Sequence, residues 1–198
     1  MPAARESLLD AAYTALARRP WSAVRMVDVA AAAGVSRQTL YNEFGSKEGL
    51  ARALVRREAD GYLAGVERAL AGPGEPGERL TAVAEWTSAA AGENALIRAM
   101  LTGCWTERLP APPLAPVPSS SPVPAQRRAD GPLPSPRDFV RLVRDRAVTA
   151  LTGPAAGPAE LTRPCELAVR LALSCVAAPP GEGGMAHLIR AIAPRETA

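Results

Sequence analysis

Residues 31–50 of this chain, AAAGVSRQTLYNEFGSKEGL, contain two helix breaks on either side of one short helical stretch. The first break is at Gly34, which follows a run of small residues and can adopt the left-handed backbone that closes a helix. Ser36 then supplies a hydroxyl suited to cap the start of a new helix. Two helices joined by so short a turn form a helix-turn-helix, which we predict over about residues 25–44.

The second helix of this motif, from Arg37 to Phe44, has an apolar side and a polar side. Leu40 and Phe44 share one face at helical spacing and are expected to lie in the core. Arg, Gln and Asn are the side chains that pair with base edges in a major groove. The polar side of the helix carries these types, and its residues are Arg37, Gln38, Thr39, Tyr41 and Asn42.

The second break precedes the only lysine of the chain. Ser46 is expected to cap a fourth helix, with Lys47 at its first position. A cation there opposes the helix dipole, whereas helix-start N–H groups and a lysine can together bind a phosphate. Two interpretations stay open: Lys47 contacts a DNA phosphate, or it is a solvated lysine partly neutralised by Glu48.

Positive charge is concentrated near the N-terminus. The 198 residues carry a formal net charge of +3. Residues 1–57 contain nine basic and five acidic residues, a net charge of +4, so the remainder is close to neutral. A basic segment of this kind is typical of phosphate binding, although a solvated arginine-rich face would give the same balance.

Motifs for catalysis or metal binding are missing from the sequence. No metal-ligand spacing, nucleophile motif or phosphate-binding loop is found, and His187 is the single histidine. We therefore expect no enzyme activity, no metal and no cofactor. The three cysteines lie in apolar helical surroundings and are interpreted as buried structural thiols: Cys104, Cys165 and Cys175.

The sequence gives no sign of export or membrane insertion. No uninterrupted apolar run is long enough to span a bilayer. Glu6 and Asp10 lie where a signal peptide would be apolar. The predicted location is the cytoplasm, without a membrane partner.

Helical periodicity dominates the whole chain and predicts an all-α fold of about nine helices. Residues 1–50 are expected to form the DNA-binding domain, with the fourth helix continuing to about residue 70 as a connector. Residues 72–198 are expected to form the second domain. Its segment 110–136 holds ten of the twenty prolines and is predicted to be a long disordered loop. The helices predicted in the second domain span 78–92, 94–105, 137–152, 159–178 and 184–193.

Residues 5–55 resemble the DNA-binding signature of the tetracycline-repressor (TetR) family of bacterial regulators. The matching residues are Val29-Ala30, Ala33-Gly34-Val35-Ser36, Leu40-Tyr41, Phe44, and Lys47 with Leu50. The resemblance implies an all-helical homodimer that binds a palindromic operator in double-stranded DNA through its N-terminal domains. The C-terminal domain would then dimerise and hold a pocket for an effector, an unidentified small molecule.

The resemblance also assigns roles to individual residues. It places Tyr41 and Lys47 at positions that touch phosphate. The residues that it places on the recognition helix are Ser36, Gln38, Thr39, Tyr41 and Asn42. Two positions depart from the family pattern. Arg25 lies near the start of the second helix, where the family commonly has a threonine, and is a candidate phosphate contact in its place. Glu43 is acidic where a neutral or basic residue is common, so it must point away from DNA or pair.

Two sites are expected in the C-terminal part. The large side chains available to line an effector pocket are Trp86, Met100, Leu101, Trp105, Phe139 and Val143, each of which would serve equally as plain core. The nearly all-apolar helix 166–178 and the stripe on the last helix favour a dimer interface, with candidates Leu167, Leu171, Met185, Leu188, Ile189 and Ile192. The alternative function is a dimeric DNA-binding factor with no effector.

Overall fold

A computed structural model describes residues 2–110, 133–153, 156–178 and 184–192 of the protein. Within these ranges the chain forms nine α-helices and a short 3₁₀ helix, and it has no β-strand. The all-α fold predicted from the sequence is confirmed. The helices are α1 Pro2–Arg18, the 3₁₀ helix Trp21–Ala23, α2 Met26–Ala32, α3 Arg37–Phe44, α4 Lys47–Leu70, α5 Pro76–Glu93, α6 Ala95–Thr102, α7 Pro136–Leu151, α8 Pro158–Ala177 and α9 Gly184–Ile192.

Most predicted helix bounds agree with the structure to within one or two residues, and the differences have local causes. Helix α6 was expected to reach residue 105 but ends at Thr102, because Gly103 has a φ of 76° and closes the helix in the left-handed conformation. Helix α8 starts before Pro164 and continues through it. Most of the predicted proline-rich loop, residues 111–132, lies outside the described residues.

The chain divides into two compact units. The first contains residues 1–58 and, from the middle of the chain, 105–133, of which 105–110 and 133 are described. The second contains residues 59–104 and 134–198. The boundary between them falls inside α4, so this helix belongs to both units.

The first unit has a core of aliphatic side chains from its four helices. Leu8 of α1, Leu40 of α3 and Leu50 of α4 are completely buried, and Val29 of α2 is 1% exposed. Each fully buried leucine contributes about 1.5–3 kcal/mol relative to an exposed one. Helices α1, α2 and α3 pack on one another, and this packing fixes the orientation of the helix-turn-helix.

Residues 105–110 also belong to the first unit. The backbone N–H of Trp21 donates to the carbonyl oxygen of Arg108 at 2.8 Å. This bond attaches a segment from the middle of the chain to the 3₁₀ helix that precedes α2.

The second unit is built around α5 and α8, which pack against each other and against α9. Tyr62 and Phe139 are 1% exposed and meet edge to face, with ring centroids 5.9 Å apart. The Tyr62 hydroxyl lies 3.0 Å from the Thr87 hydroxyl, which itself donates to the carbonyl of Val83 at 2.8 Å. Burial raises the pKa of Tyr62 to about 12, because the charged phenolate is disfavoured in an apolar core.

The second unit also contains a close contact between α4 and an indole. Trp86 packs onto the backbone of α4 at Gly65, where an added Cβ would overlap the indole ring. The indole Nε1 donates to the carbonyl of Tyr62 at 3.1 Å. Only a glycine at position 65 leaves room for this arrangement.

The three cysteines form no disulfide, and they do not all have the predicted environment. Cys165 and Cys175 are buried, as expected, whereas Cys104 is exposed because it follows the end of α6. Among the described residues there is no group of side chains arranged to hold a metal ion. None of the described helices combines the length and the apolar composition needed to cross a membrane.

Candidate nucleic-acid interface

The turn between α2 and α3 has the backbone geometry expected from its sequence. Gly34 has a φ of 68°, a conformation that costs a side-chain-bearing residue about 1–2 kcal/mol. The N–H of Val35 donates to the carbonyl of Ala30 at 3.0 Å, which closes the end of α2. The chain therefore reverses within a few residues and delivers α3 at a fixed angle.

Ser36 caps α3 as predicted. Its hydroxyl accepts from the backbone N–H of Thr39 at 3.0 Å and lies 2.9 Å from the Thr39 hydroxyl. A cap of this kind stabilises a helix by about 1 kcal/mol. Both hydroxyls are thereby ordered at the start of the helix.

Helix α3 exposes a polar face and buries an apolar one. Leu40 is completely buried and Phe44 is 6% exposed. Gln38 donates from Nε2 to Oδ1 of Asn42 at 2.8 Å, so the two amides are ordered by each other. Of the residues predicted to lie on the polar side, the exposed ones are Arg37, Gln38, Tyr41 and Asn42, while Thr39 is half-buried.

Arg25 lies just before α2 and is engaged by Asp28. Its Nε and Nη2 donate to the two carboxylate oxygens of Asp28 at 3.0 and 3.1 Å. Arg19 donates to the same carboxylate at 3.1 Å. The hydrogen bond from Arg25 is the main cause that lowers the pKa of Asp28. The Arg25 side chain is still 72% exposed, and the phosphate contact predicted for it stays a prediction.

Lys47 has partners within the chain that the sequence did not suggest. Its Nζ donates to the carbonyl of Ser22 at 3.1 Å and lies 5.5 Å from the centre of the Trp21 ring. The carboxyl of Glu48 has a lowered pKa, mainly through a hydrogen bond from its own backbone N–H and a second from Ser46. Lys47 is thus half-buried beside the 3₁₀ helix rather than fully solvated.

The second helix break depends on two glycines. Gly45 has a φ of 71° and ends α3. Ser46 caps α4 by accepting from the N–H of Gly49 at 3.1 Å. A Cβ on Gly49 would overlap the carbonyl oxygen of Phe44, so α4 can start this close to α3 only with glycine at position 49.

Glu43 lies on the flank of α3 that faces α1. Its carboxylate Oε2 is 3.6 Å from Nη1 of Arg5, and the guanidinium of Arg5 lies over the ring of Phe44 at 4.7 Å. The acidic residue of α3 is therefore paired, one of the two outcomes expected for it.

Several residues that shape this surface were missed by sequence reasoning. The spacing of Arg25 and Asp28, three residues apart on one helix end, was a signal that could have been used. No local signal pairs Arg5 with Glu43 or Lys47 with Ser22, because those contacts join segments that are distant in sequence.

The predicted pocket residues divide between buried core and surface. Met100, Leu101, Phe139 and Val143 are buried in the second unit, at 1–3% exposure. Trp86 is half-buried, with Arg68 5.7 Å above its ring. Trp105 belongs to the first unit, whereas the other five belong to the second.

The predicted interface residues also divide into two sets. Leu167 and Leu188 are 42% and 39% exposed, and Leu171 is half-buried. Met185 and Ile189 are 8% and 0% exposed within the single chain, because α9 packs on α5 and α8. These two side chains pack within their own unit, and the part predicted for them in a dimer interface stays a prediction. The side chain of Ile192 lies outside the described residues.

A polar, exposed second helix after a glycine turn defines a helix-turn-helix protein. Residues 8–54 match the sequence model of bacterial regulatory proteins of the tetR family. This match concerns the N-terminal helix-turn-helix segment, which is similar to the DNA-binding part of that family.

Curated relatives match the N-terminal part of the chain. The HTH-type transcriptional regulator AlkX of Mycobacterium tuberculosis (strain ATCC 25618 / H37Rv) is 52% identical over 66 residues, 33% of this chain and 31% of that protein. An uncharacterized HTH-type transcriptional regulator, Rv1255c, of the same strain is 39% identical over 77 residues, 39% of this chain and 38% of that protein. The chain thus spans only about a third of the length of these relatives.

Solved structures share the fold over nearly the whole chain. The TetR family repressor AlkX from Dietzia sp. has a TM-score of 0.51 and 22% identity, covering 96% of this chain and 93% of its own. A regulator of the TetR/AcrR family from Thermobifida fusca has a TM-score of 0.56 and 18% identity, covering 95% and 93%. With sequence identities of 22% and 18%, these two structures show that the fold is shared, and nothing more.

Proposed function

We propose that the protein is a DNA-binding transcriptional regulator and has no enzymatic role. The observation that carries this proposal is the exposed polar face of α3, with Arg37, Gln38, Tyr41 and Asn42 presented on a helix that is fixed by the buried Leu40. A helix of this kind fits a major groove, where Arg, Gln and Asn pair with base edges. The protein would act in the cytoplasm, on double-stranded DNA.

The regulator acts as a homodimer on a palindromic operator. Two recognition helices must reach successive major grooves, about 34–36 Å apart, for both half-sites to be read together. The exposed Leu167 and Leu188 and the half-buried Leu171 support the dimer, because apolar side chains of this size are stabilised by burial against a partner. The proposed interface is centred on these three residues.

The regulator represses transcription until a small-molecule effector releases it from DNA. Its effector site is proposed among Trp86, Met100, Leu101, Phe139 and Val143. A ligand can release DNA only if it binds the DNA-incompetent state more tightly, typically by about 1–3 kcal/mol.

A dimeric regulator without an effector is the second candidate. Four of these five side chains are buried in the core, and Phe139 is packed edge to face on Tyr62. A ligand entering there must displace packed side chains, which costs free energy.

Selection of bound duplexes from a random-sequence pool, followed by titration of the enriched sequence, tests the DNA-binding proposal. We expect a palindrome to be enriched and to bind far more tightly than a random duplex. Failure of the full chain to enrich any sequence would refute the proposal.

The effector is tested with the enriched duplex in hand. A thermal-shift screen of small molecules should yield compounds that raise the melting temperature and weaken operator binding. The Ala147→Trp variant, which inserts a large side chain at a completely buried position, should mimic such a compound and bind operator weakly while keeping the helical content. If a well-folded Ala147→Trp chain binds like the wild type and no compound weakens binding, the regulator without an effector is the better description.

A further inference from the structure

One arginine connects the N-terminal helix to the recognition helix through two different contacts. Arg5 lies near the start of α1, and its Nη1 is 3.6 Å from Oε2 of Glu43. The same Nη1 donates to the backbone carbonyl of Glu43 at 3.4 Å. Its guanidinium also stacks on the ring of Phe44 at 4.7 Å. Arg5 therefore holds both a carboxylate and an aromatic ring of α3.

The carboxylate held in this way is the only acidic group on α3. Its neighbour Asn42 is exposed on the polar face, whereas Glu43 lies on the flank towards α1 with its side chain 23% exposed. A carboxylate that swings from this flank towards DNA would repel the phosphates, since like charges a few ångströms apart repel even near water. The position of Glu43 thus affects how closely α3 can approach a duplex.

We propose that Arg5 is a positioning residue for DNA binding, which holds Glu43 against α1 and away from the phosphate backbone. The inference rests on the proposed DNA-binding function. Its energetic effect appears in the complex more than in the free protein, because a partly exposed ion pair contributes little to stability while the repulsion it prevents acts only when DNA is present.

The rival role for Arg5 is a direct contact with phosphate. The two roles differ in what happens when Glu43 is neutralised. A positioning residue becomes dispensable once there is no carboxylate to hold, whereas a phosphate contact is needed with or without the carboxylate.

The test uses the full chain and a random-sequence duplex as the probe, because phosphate repulsion does not depend on base sequence. The variants are Arg5→Met, Glu43→Gln and the double variant Arg5→Met/Glu43→Gln. Methionine keeps an unbranched apolar stem that can cover Phe44, so α1 should still pack on α3. Arg18→Met is the matched control, since Arg18 is exposed at the other end of α1 and its loss removes the same charge. Circular dichroism and thermal melting check the fold of each variant.

We expect Arg5→Met to weaken binding by about fivefold at moderate salt. Glu43→Gln should bind at least as tightly as the wild type, and the double variant should recover to within about twofold of Glu43→Gln. Arg18→Met should lose clearly less affinity than Arg5→Met.

Three outcomes would overturn the inference while leaving DNA binding intact. If a folded Arg5→Met variant binds DNA like the wild type, Arg5 has no role in positioning Glu43 for DNA binding. A double variant as weak as Arg5→Met assigns a direct phosphate contact. If Arg18→Met loses as much DNA affinity as Arg5→Met, the affinity depends only on the net charge of the chain. A wild-type chain that binds no duplex would instead refute the proposed function, and the inference with it.

Discussion

The phenol of Tyr62 and the hydroxyl of Thr87 form a hydrogen bond of 3.0 Å inside the second unit, between α4 and α5. Both side chains are almost completely buried, at 1% and 2% exposure. The Thr87 hydroxyl in turn donates to the carbonyl of Val83, so both hydroxyls of this pair have hydrogen-bond partners in an apolar core. Burial of the Tyr62 phenol makes stability depend on pH, because desolvation raises its pKa, whereas the hydrogen bond with Thr87 lowers it.

Stability should fall at alkaline pH through Tyr62. The folded-state pKa of about 12 lies above the ordinary value of 10.0, so the folded chain keeps its proton longer than the unfolded chain. The contribution is fully present below pH 10 and is lost as the pH rises towards 12, by about 2 kcal/mol. Burial likewise raises the pKa of Cys165, from 9.0 to about 11. The stability that this thiol contributes is therefore also lost at alkaline pH, from about pH 9 upward.

Denaturant unfolding measured from pH 8 to 12 tests this dependence. The Tyr62→Phe variant should show a shallower alkaline loss, whereas Tyr41→Phe, at an exposed tyrosine, should follow the wild type. Equal alkaline loss in Tyr62→Phe and the wild type would contradict the assignment.

Two glycines of α4 should respond in opposite directions to alanine. Gly61 has open space around it, whereas a Cβ on Gly65 would overlap the indole of Trp86. Gly61→Ala should stabilise the chain by up to about 1 kcal/mol through helix propensity. Gly65→Ala should destabilise it by about 1–3 kcal/mol through overpacking. Chemical denaturation of both variants gives the comparison, and a Gly65→Ala chain as stable as Gly61→Ala would show that Trp86 moves aside without cost.

Replacement of Lys47 separates its two interpretations. As a phosphate contact, Lys47→Ala should weaken binding to all duplexes by similar factors and lower the salt slope by about 1 for each protomer. If Lys47 only bonds to the carbonyl of Ser22, Lys47→Ala lowers DNA affinity because the fold is less stable, and the salt slope is unchanged. Titration against a random duplex at several salt concentrations, with thermal melting in parallel, distinguishes the two results.

Loss of Gln38 or Asn42 should change sequence preference rather than overall affinity. Each alanine variant should relax discrimination by about 1–3 kcal/mol at individual base pairs. Because the two amides bond to each other at 2.8 Å, their effects should be non-additive in a double-mutant cycle. Titration of single-base variants of the selected operator measures this, and uniform weakening at every position would assign both residues to backbone contacts.

Charge placed on the exposed leucines should dissociate the proposed dimer. Leu167→Glu or Leu188→Glu would bury an unpaired carboxylate in the interface, which is strongly unfavourable. Sedimentation should then show a monomer with reduced operator affinity, whereas Ala159→Glu, exposed in the first turn of α8, should stay dimeric. A wild-type chain that sediments as a monomer at micromolar concentration would dispose of this interface.

The parts of the fold that depend on nearby residues could be predicted from the sequence. Gly34 and Ser36 set the turn between α2 and α3 by backbone conformation and by a cap to Thr39, and both effects act within a few residues. Gly103 shows the limit of such reasoning. It ended α6 three residues before the predicted end, although glycine is the usual residue at that position.

Contacts between distant segments could not be predicted in the same way. The stripe on α9 was recognised as apolar, but periodicity cannot tell which side meets the chain itself. Met185 and Ile189 turned out to be buried in the second unit, whereas Leu188 is exposed. For the same reason, nothing in the sequence pairs Lys47 with Ser22, which lie 25 residues apart.

The hydrogen bond from Trp21 to Arg108 has a consequence for when the first unit can finish folding during synthesis. A chain made from its N-terminus presents all the helices of the helix-turn-helix well before residues 105–110 leave the ribosome. During that interval the N–H of Trp21 lacks its partner, the carbonyl of Arg108, and the first unit is incomplete although residues 1–58 are already translated. Competence to bind DNA should therefore mature late in translation, after α5 and α6 have been made, which differs from the usual expectation that an N-terminal domain folds first.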